Sequence, residues 1–105
     1  MANQLTQLKG SGDNLYPNLV TKPIETNDDL DDTKFWNEGF YATASAAVTN
    51  SLANCPVTGT AIQMIVFMHG SYPAQMIITN STIFTRWRVS NGWQNWYKFT
   101  GTQIT

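Results

Sequence analysis

The sequence is poor in the residue types that most often carry chemistry. Its 105 residues include one cysteine, Cys55, and one histidine, His69, and only 12% are charged, about half the usual share of ~25%. A lone cysteine excludes an internal disulfide and a thiolate metal cluster, and burial as a small apolar side chain is its expected role. No stretch approaches the roughly 20 apolar residues of a membrane helix, and the first twenty residues lack the apolar run of a signal peptide. We therefore expect one domain, made in the cytoplasm without a signal peptide and with no membrane insertion.

Acidic residues are absent after Glu38, because all seven lie between Asp13 and Glu38. The later part of the chain carries Arg86, Arg88 and Lys98. The net charge of −1 offers no basic face for a nucleic acid. Because the acidic residues precede these basic ones in the chain, the charge distribution instead favours contact between an acidic and a basic end, within one chain or between subunits.

Patterns that specify a catalytic or metal site are also missing. Nothing in the sequence joins His69 to a serine and an acid, and a turn residue is its expected role. Residues 28–32, "DDLDD", lack the alternating spacing and central glycine of an EF-hand loop, and acids at a helix start are the better interpretation. A carboxylate pair for sugar hydrolysis is disfavoured because every acid falls in one segment. We expect no enzyme activity, no metal and no cofactor.

The residue pattern predicts an arm followed by a mainly β domain. Residues 1–27 have turn residues and prolines without a sustained period, which indicates an extended N-terminal arm. In the domain, residues 28–105, one short helix is predicted near residues 28–36, capped by Thr26 or Asn27. The rest predicts a small antiparallel sheet or a sandwich. Residues 40–48 are expected to form a strand, and residues 61–68 a central strand covered on both faces.

The pair Asn91-Gly92 is the strongest local signal, because Asn-Gly suits a type I′ hairpin turn. A two-residue loop at this pair places Trp87 directly opposite Trp96. Aromatic cross-strand pairs stabilise sheets, so this face is assigned to the core.

The other face of the same hairpin is left for a sugar or for a neighbouring subunit. Its aromatic rings suit stacking, and its amide and guanidinium groups suit hydrogen bonds to hydroxyls or phosphates. Arginine beside tyrosine or tryptophan also suits cation–π stacking. The candidate ligand-binding residues are Arg86, Trp93, Asn95 and Tyr97.

Several short motifs follow one another in a recognisable order. They are "DDLDD" and "EGFYAT" within residues 28–43, "NCP" at 54–56, "MIVF" and "QMIIT" within 64–79, and "RVSNGWQNWYK" at 88–98. Together they resemble the pyocin-knob type of domain found in tail fibres of R-type pyocins and in bacteriophage tail-tip proteins. The matching residues are Asp29, Leu30, Gly39, Tyr41, Asn54, Pro56, Arg88, Trp93 and Trp96.

The resemblance implies a non-catalytic virion module, in a tail fibre, tail tip or baseplate, that contributes to host attachment. It also implies a homotrimer, contact with other phage tail proteins and a host cell-surface polysaccharide as ligand. One departure is that fibre proteins are usually longer and hold several domains. The alternatives are a purely structural spacer whose arm docks on another tail protein, and a cell-wall-degrading hydrolase.

Overall fold

The structure, a computed structural model, describes residues 20–69 and 71–105. Its main element is one seven-stranded β-sheet. In chain order the strands are β1 (Lys22–Pro23), β2 (Gly39–Ala42), β3 (Gln63–His69), β4 (Tyr72–Ile78), β5 (Thr82–Val89), β6 (Gly92–Trp93) and β7 (Tyr97–Thr100). The predicted mainly β class is confirmed, and of the two predicted arrangements the sheet forms, not the sandwich.

The strands follow one another across the sheet in chain order. The pairs β2–β3, β3–β4 and β4–β5 are antiparallel, as expected for strands joined by short connections. Strand β1 runs parallel to β2. Strands β6 and β7 pair in succession with β5.

Among residues 20–69 and 71–105, one face of the sheet is covered. Along β4, for example, Pro73, Gln75 and Ile77 are buried and alternate with more exposed residues, as the two-residue period of a strand requires. The covered face packs against the segments that connect the strands. Its core contains Ile24, Leu30, Phe35, Tyr41, Ile62, Met64, Val66, Ile77 and Phe84.

The opposite face, which we call the outer face, has no second layer among the described residues. The expected burial of residues 61–68 on both sides is therefore wrong, since the side chain of Phe67 is 50% exposed. Alternation and pairing place on this face Phe40, Ile65, Phe67, Met76, Ile83, Thr85, Trp87, Tyr97 and Phe99.

The helix expected near residues 28–36 is shorter and differently capped. It is a 3-10 helix, Thr33–Trp36, and the Asp32 side chain accepts a hydrogen bond from the Lys34 amide. Capping by Thr26 or Asn27 is wrong because the chain before Asp32 forms turns and a bridge to another loop. There the Leu30 amide donates to the carbonyl of Ala53.

A second short helix lies where a strand was expected. Strand β2 ends at Ala42, and α1 (Ala46–Asn50) follows, with the Ser45 side chain accepting from the Val48 amide. Ser at this position is a favoured N-cap, and Thr49 buries its hydroxyl against that of Thr43 at 2.8 Å. The strand prediction for residues 40–48 is correct only for its first residues.

Part of the predicted arm belongs to the sheet. Strand β1 pairs with β2, and Ile24 is buried in the core. Residues 1–19 of the predicted arm lie outside the described residues.

The last hairpin bends near the predicted place but in another register. Val89 pairs with Gly92, and Arg88 pairs with Trp93, so the two turn residues are Ser90 and Asn91. Neither has a positive φ, whereas Gly92 has φ 129°. A type I′ turn is therefore wrong, because that turn needs positive φ at both central residues, and glycine follows the turn instead.

A β-bulge shifts the register again two residues later. The Gln94 amide donates to the Trp87 carbonyl at 2.9 Å, whereas Tyr97 pairs with Thr85. Two residues between these pairs therefore lie opposite one, as in a bulge. The predicted pairing of Trp87 with Trp96 is wrong, and Trp87 points outward with 51% of its side chain exposed.

Candidate functional site

The bulge decides where the tryptophans of the hairpin lie. In a regular strand, residues three apart point to opposite faces. Here the extra residue allows Trp93 and Trp96 to lie on the same, covered side of the sheet, one on each side of Arg86. The two rings are 4.1 and 4.5 Å from the Arg86 guanidinium carbon.

Arg86 is the centre of this cluster. It is buried on the covered face, and its Nε donates to the Gln75 side-chain oxygen at 2.8 Å. Gln75 in turn donates to the carbonyls of Leu30, at 2.9 Å, and Phe35, at 3.2 Å. Arg86 also forms an ion pair with Asp31 at 2.8 Å. The cluster thus fixes the chain around the 3-10 helix onto β4 and β5.

A second arginine extends the stack. The Arg88 guanidinium lies over the Trp36 ring at 4.2 Å, and the rings of Trp36 and Trp93 meet edge to face at 6.4 Å. The Trp36 indole also donates to the Asp31 carbonyl. Alternating guanidinium and indole groups of this kind gain cation–π attraction as well as apolar burial.

Each acid of the "DDLDD" segment has a contact within the fold. Asp28 pairs with Lys34 at 2.6 Å, and Asp29 accepts from the Asn54 side chain at 2.8 Å. Asp31 pairs with Arg86, and Asp32 caps the 3-10 helix. All four carboxylates of the segment thus make contacts that stabilise the fold.

Three titratable groups near the cluster have shifted pKa values. Burial lowers the pKa of Arg86, and its contact with Asp31 opposes that shift. The hydrogen bond from Asn54, joined by one from the Asp31 amide, lowers the pKa of Asp29. Burial raises the pKa of the half-buried Cys55 thiol, which donates to the Val57 carbonyl. Its apolar contacts agree with the role expected for this cysteine.

The structure does not bring the four candidate ligand-binding residues onto one surface. Arg86 is buried between two indoles, and Trp93 is half-buried against it. Asn95 is exposed in the bulge. Tyr97 is 65% exposed but lies on the outer face. His69 ends β3, and its side chain lies outside the description.

The outer face carries two shallow depressions that sequence reasoning missed. One, of about 300 Å³, is lined by Phe67, Met76, Trp87, Gln94 and Tyr97, among others. The other, of about 310 Å³, lies beside it and shares Phe67. A signal was present in the sequence, because alternate residues of all the central strands are apolar on this side as well. For residues 61–68 this signal is interpreted from the sequence as burial on both faces, and for Trp87 and its neighbours in the last hairpin as the core face.

Comparison with known proteins bears on the fold. No family model matches the sequence, and no curated protein matches it significantly. Among solved structures, the fold is similar to that of the P. aeruginosa R1 pyocin fibre, in a structure comprising C-terminal residues 323–701. The TM-score is 0.65 and the sequence identity 24%, over 74% of this chain and 21% of that chain. The chain thus shares its fold with about a fifth of the fibre fragment.

Three of the nine motif residues behind the pyocin-knob resemblance, Asp29, Asn54 and Trp96, are in direct contact. Asn54 binds Asp29 through its side chain, and its carbonyl accepts from the Trp96 indole at 3.0 Å. Leu30 is buried beneath the sheet, and its carbonyl accepts from Gln75. The ordered motifs therefore describe how the connecting segments are fixed to the covered face.

Proposed function

We propose that this chain is a non-catalytic module of a phage or pyocin tail fibre, tail tip or baseplate that contributes to attachment at the bacterial surface. The observation that carries the proposal is the fold that 74% of the chain shares with the R1 pyocin fibre fragment. A virion location and a homotrimer belong to the same proposal. Fold likeness alone does not specify function, so the contact surface must be argued from the residues.

The polar groups of the covered face support a structural role for that side of the molecule. Arg86, Gln75 and Asp29 are engaged with neighbouring segments, at 2.8 Å in each case. A general acid, base or nucleophile needs a reacting group within reach of substrate, and these groups are committed to holding loops. The described residues also contain no helix long and apolar enough to cross a membrane.

A host polysaccharide is the proposed ligand. Of the four predicted contact residues, Asn95 and Tyr97 are exposed, while Arg86 and Trp93 support the hairpin from below. A tyrosine ring offers a stacking surface, and an amide offers hydrogen bonds to hydroxyls.

The test is retention of the purified chain on a panel of bacteria that differ in surface polysaccharide. We expect saturable binding to some members of the panel. It should fall at least about tenfold, or ~1.4 kcal/mol, in Asn95→Ala or Tyr97→Ala. Asn80→Ala, an exposed amide in another turn, is the matched control. Equal retention of all variants, or no retention of the wild type on any surface, would contradict the polysaccharide proposal.

The second candidate is a spacer that docks on another tail protein without touching the host. The uncovered apolar outer face favours it, because large apolar patches mark interaction sites. Since β1 belongs to the sheet, a truncation that tests docking by the predicted arm must stop at residue 19. Loss of assembly into particles by this folded truncation, with no polysaccharide binding by the full chain, would favour the spacer.

A further inference from the structure

The outer face forms continuous rows of apolar side chains across the sheet. One row joins Tyr97, Thr85, Met76, Ile65 and Phe40 by direct pairing of neighbouring strands. Directly paired side chains lie about 4.5–5.5 Å apart, so a row of five strands spans about 19 Å.

A neighbouring row extends the patch. It joins Trp87, Ala74 and Phe67, and a third row begins with the pair Phe99–Ile83. The aromatic residues stand toward the ends of the rows, with smaller residues between them. The result is one contiguous surface, not a scatter of single exposed residues.

The exposed apolar area of the outer face is comparable to the area that each partner buries in a protein–protein interface. Tyr72 also lies on this face, since it alternates in phase with Ala74 and Met76 along β4. Six aromatic residues of the face are therefore exposed by 37–65% and leave about 600 Å² of aromatic surface uncovered, at roughly 200 Å² per side chain: Phe40, Phe67, Tyr72, Trp87, Tyr97 and Phe99. The largest patch of a typical monomer is about 300–600 Å² in total. With Ile83 and Val89 added, the face approaches the ~800 Å² that each partner buries in a standard interface.

The outer face is uncharged along its strands and rich in aromatic residues, which favours a protein partner whose surface is also uncharged and aromatic. No Asp, Glu, Lys or Arg occupies an outward position of the described strands, and the ion pairs Lys34–Asp28 and Arg86–Asp31 lie on the covered side. Interface cores are depleted of charge and enriched in aromatic residues and methionine. Two copies of this face can therefore bring their central rows together without like-charge repulsion, with Glu38, which lines one depression next to β2, at the rim of the contact. A sugar would find few polar groups in these two depressions, chiefly Glu38, Thr85, Gln94 and the Tyr97 hydroxyl.

We propose that the outer face is the contact surface between copies of this chain. The inference rests on the homotrimer of the proposed function and adds the face that makes the contact. Self-association is measured without a host surface, so its failure is distinguishable from a failure of polysaccharide binding. In the assembly the central part of the face, with Phe67 and Trp87, is buried and the charged, covered side faces outward. Tyr97 lies on the edge strand β7, at the border of the contact. Such a contact in a closed oligomer leaves no apolar sheet face exposed.

The test is sedimentation equilibrium from about 1 to about 100 μM for the wild type and two variants, Phe67→Glu and Trp87→Glu. Both residues point outward and are about half exposed, so the fold should survive, as checked by near-UV circular dichroism. We expect a wild-type oligomer whose dissociation constant rises roughly 30-fold or more in each variant, the effect of losing one central aromatic contact. Ile104→Glu, a 96% exposed apolar residue outside the strands, is the matched control and should associate like the wild type.

A second measurement needs no substitution. Hydroxyl-radical labelling of wild-type Trp87 and Phe67 should fall several-fold between the lowest and the highest concentration, with Ile104 unchanged. A wild type that stays monomeric with constant labelling overturns the proposal, as does an oligomer that both glutamate variants leave intact. A monomer whose polysaccharide binding is lost in Trp87→Glu overturns it in favour of a glycan on this face.

Discussion

Replacement of Arg86 is the sharpest perturbation of the covered face. Arg86→Ala removes two stacking contacts at 4.1 and 4.5 Å, worth together about 2 kcal/mol in a desolvated site. It also leaves the buried Gln75 side-chain oxygen without the donor it has at 2.8 Å, a cost of about 1–3 kcal/mol. The ion pair adds little, because the Asp31 side chain is 40% exposed and partly solvated. We expect a loss of about 3–5 kcal/mol, the sum of the stacking and hydrogen-bond contributions.

The assay is urea denaturation followed by tryptophan fluorescence. Arg88→Ala is the matched control, because Arg88 stacks on one ring, Trp36, at 4.2 Å and should cost only about 0.5–1 kcal/mol. Arg86→Lys should fall between the two, at about 2 kcal/mol, since an ammonium keeps the charge but not the planar stack. If Arg86→Ala lowers the free energy of unfolding no more than Arg88→Ala does, the Arg86 cluster does not fix the connecting segments to the sheet.

Three further predictions concern the turn, the acidic segment and the thiol. Gly92→Ala should destabilise by about 1–2 kcal/mol in the same urea assay. Its added Cβ meets nothing within 4 Å, so the cost lies in φ 129° alone, and wild-type stability would contradict this. Because the pKa of Asp29 is lower in the folded protein than its ordinary value of 3.8, the ionised carboxylate stabilises the fold. This stabilisation is fully present above pH 3.8 and is lost as the pH falls through the folded pKa. Asn54→Gly, which tolerates the positive φ of residue 54, should make the melting temperature less sensitive to acid in a series of thermal melts at different pH. An unchanged dependence of melting temperature on pH would show that the Asn54 hydrogen bond does not lower the pKa of Asp29. The raised pKa of Cys55 should make native alkylation at pH 8 slower than in urea, and equal rates would count against its burial.

The sequence predicts the β strands well and the details of the connections poorly. The apolar run at residues 61–68 correctly predicts a strand, which the structure places at 63–69, because a run of this length bounded by turn residues is typical of a strand. Helix α1 is not predicted from the sequence, because its five residues are too few to show a helical period. Its one signal is the Ser45 cap. The acidic run predicts a helix start, but the chain uses these acids to bond the Asn54 loop and Arg86, contacts that depend on distant residues.

The candidate site is predicted less well, because one register error reverses the faces of a strand. The Asn-Gly rule places the bend to within a residue, yet it does not reveal the bulge opposite Arg86. Without the bulge, Trp87 and Trp96 form an inward pair. With it, Trp96 turns inward and Trp87 outward. The sequence therefore identifies the residues that matter but assigns several of them to the wrong side of the sheet.

Cross-strand nuclear Overhauser effects in the last hairpin test the central claim most directly, since the bulge determines which face is buried and which is free. We predict contacts of Thr85 with Tyr97 and of Arg88 with Trp93, together with proximity of the Trp96 indole proton to Asn54. Backbone contacts that pair Trp87 with Trp96 and Arg86 with Tyr97 would contradict the bulge. They would also contradict the Arg86 cluster and the outer contact face, which both depend on it.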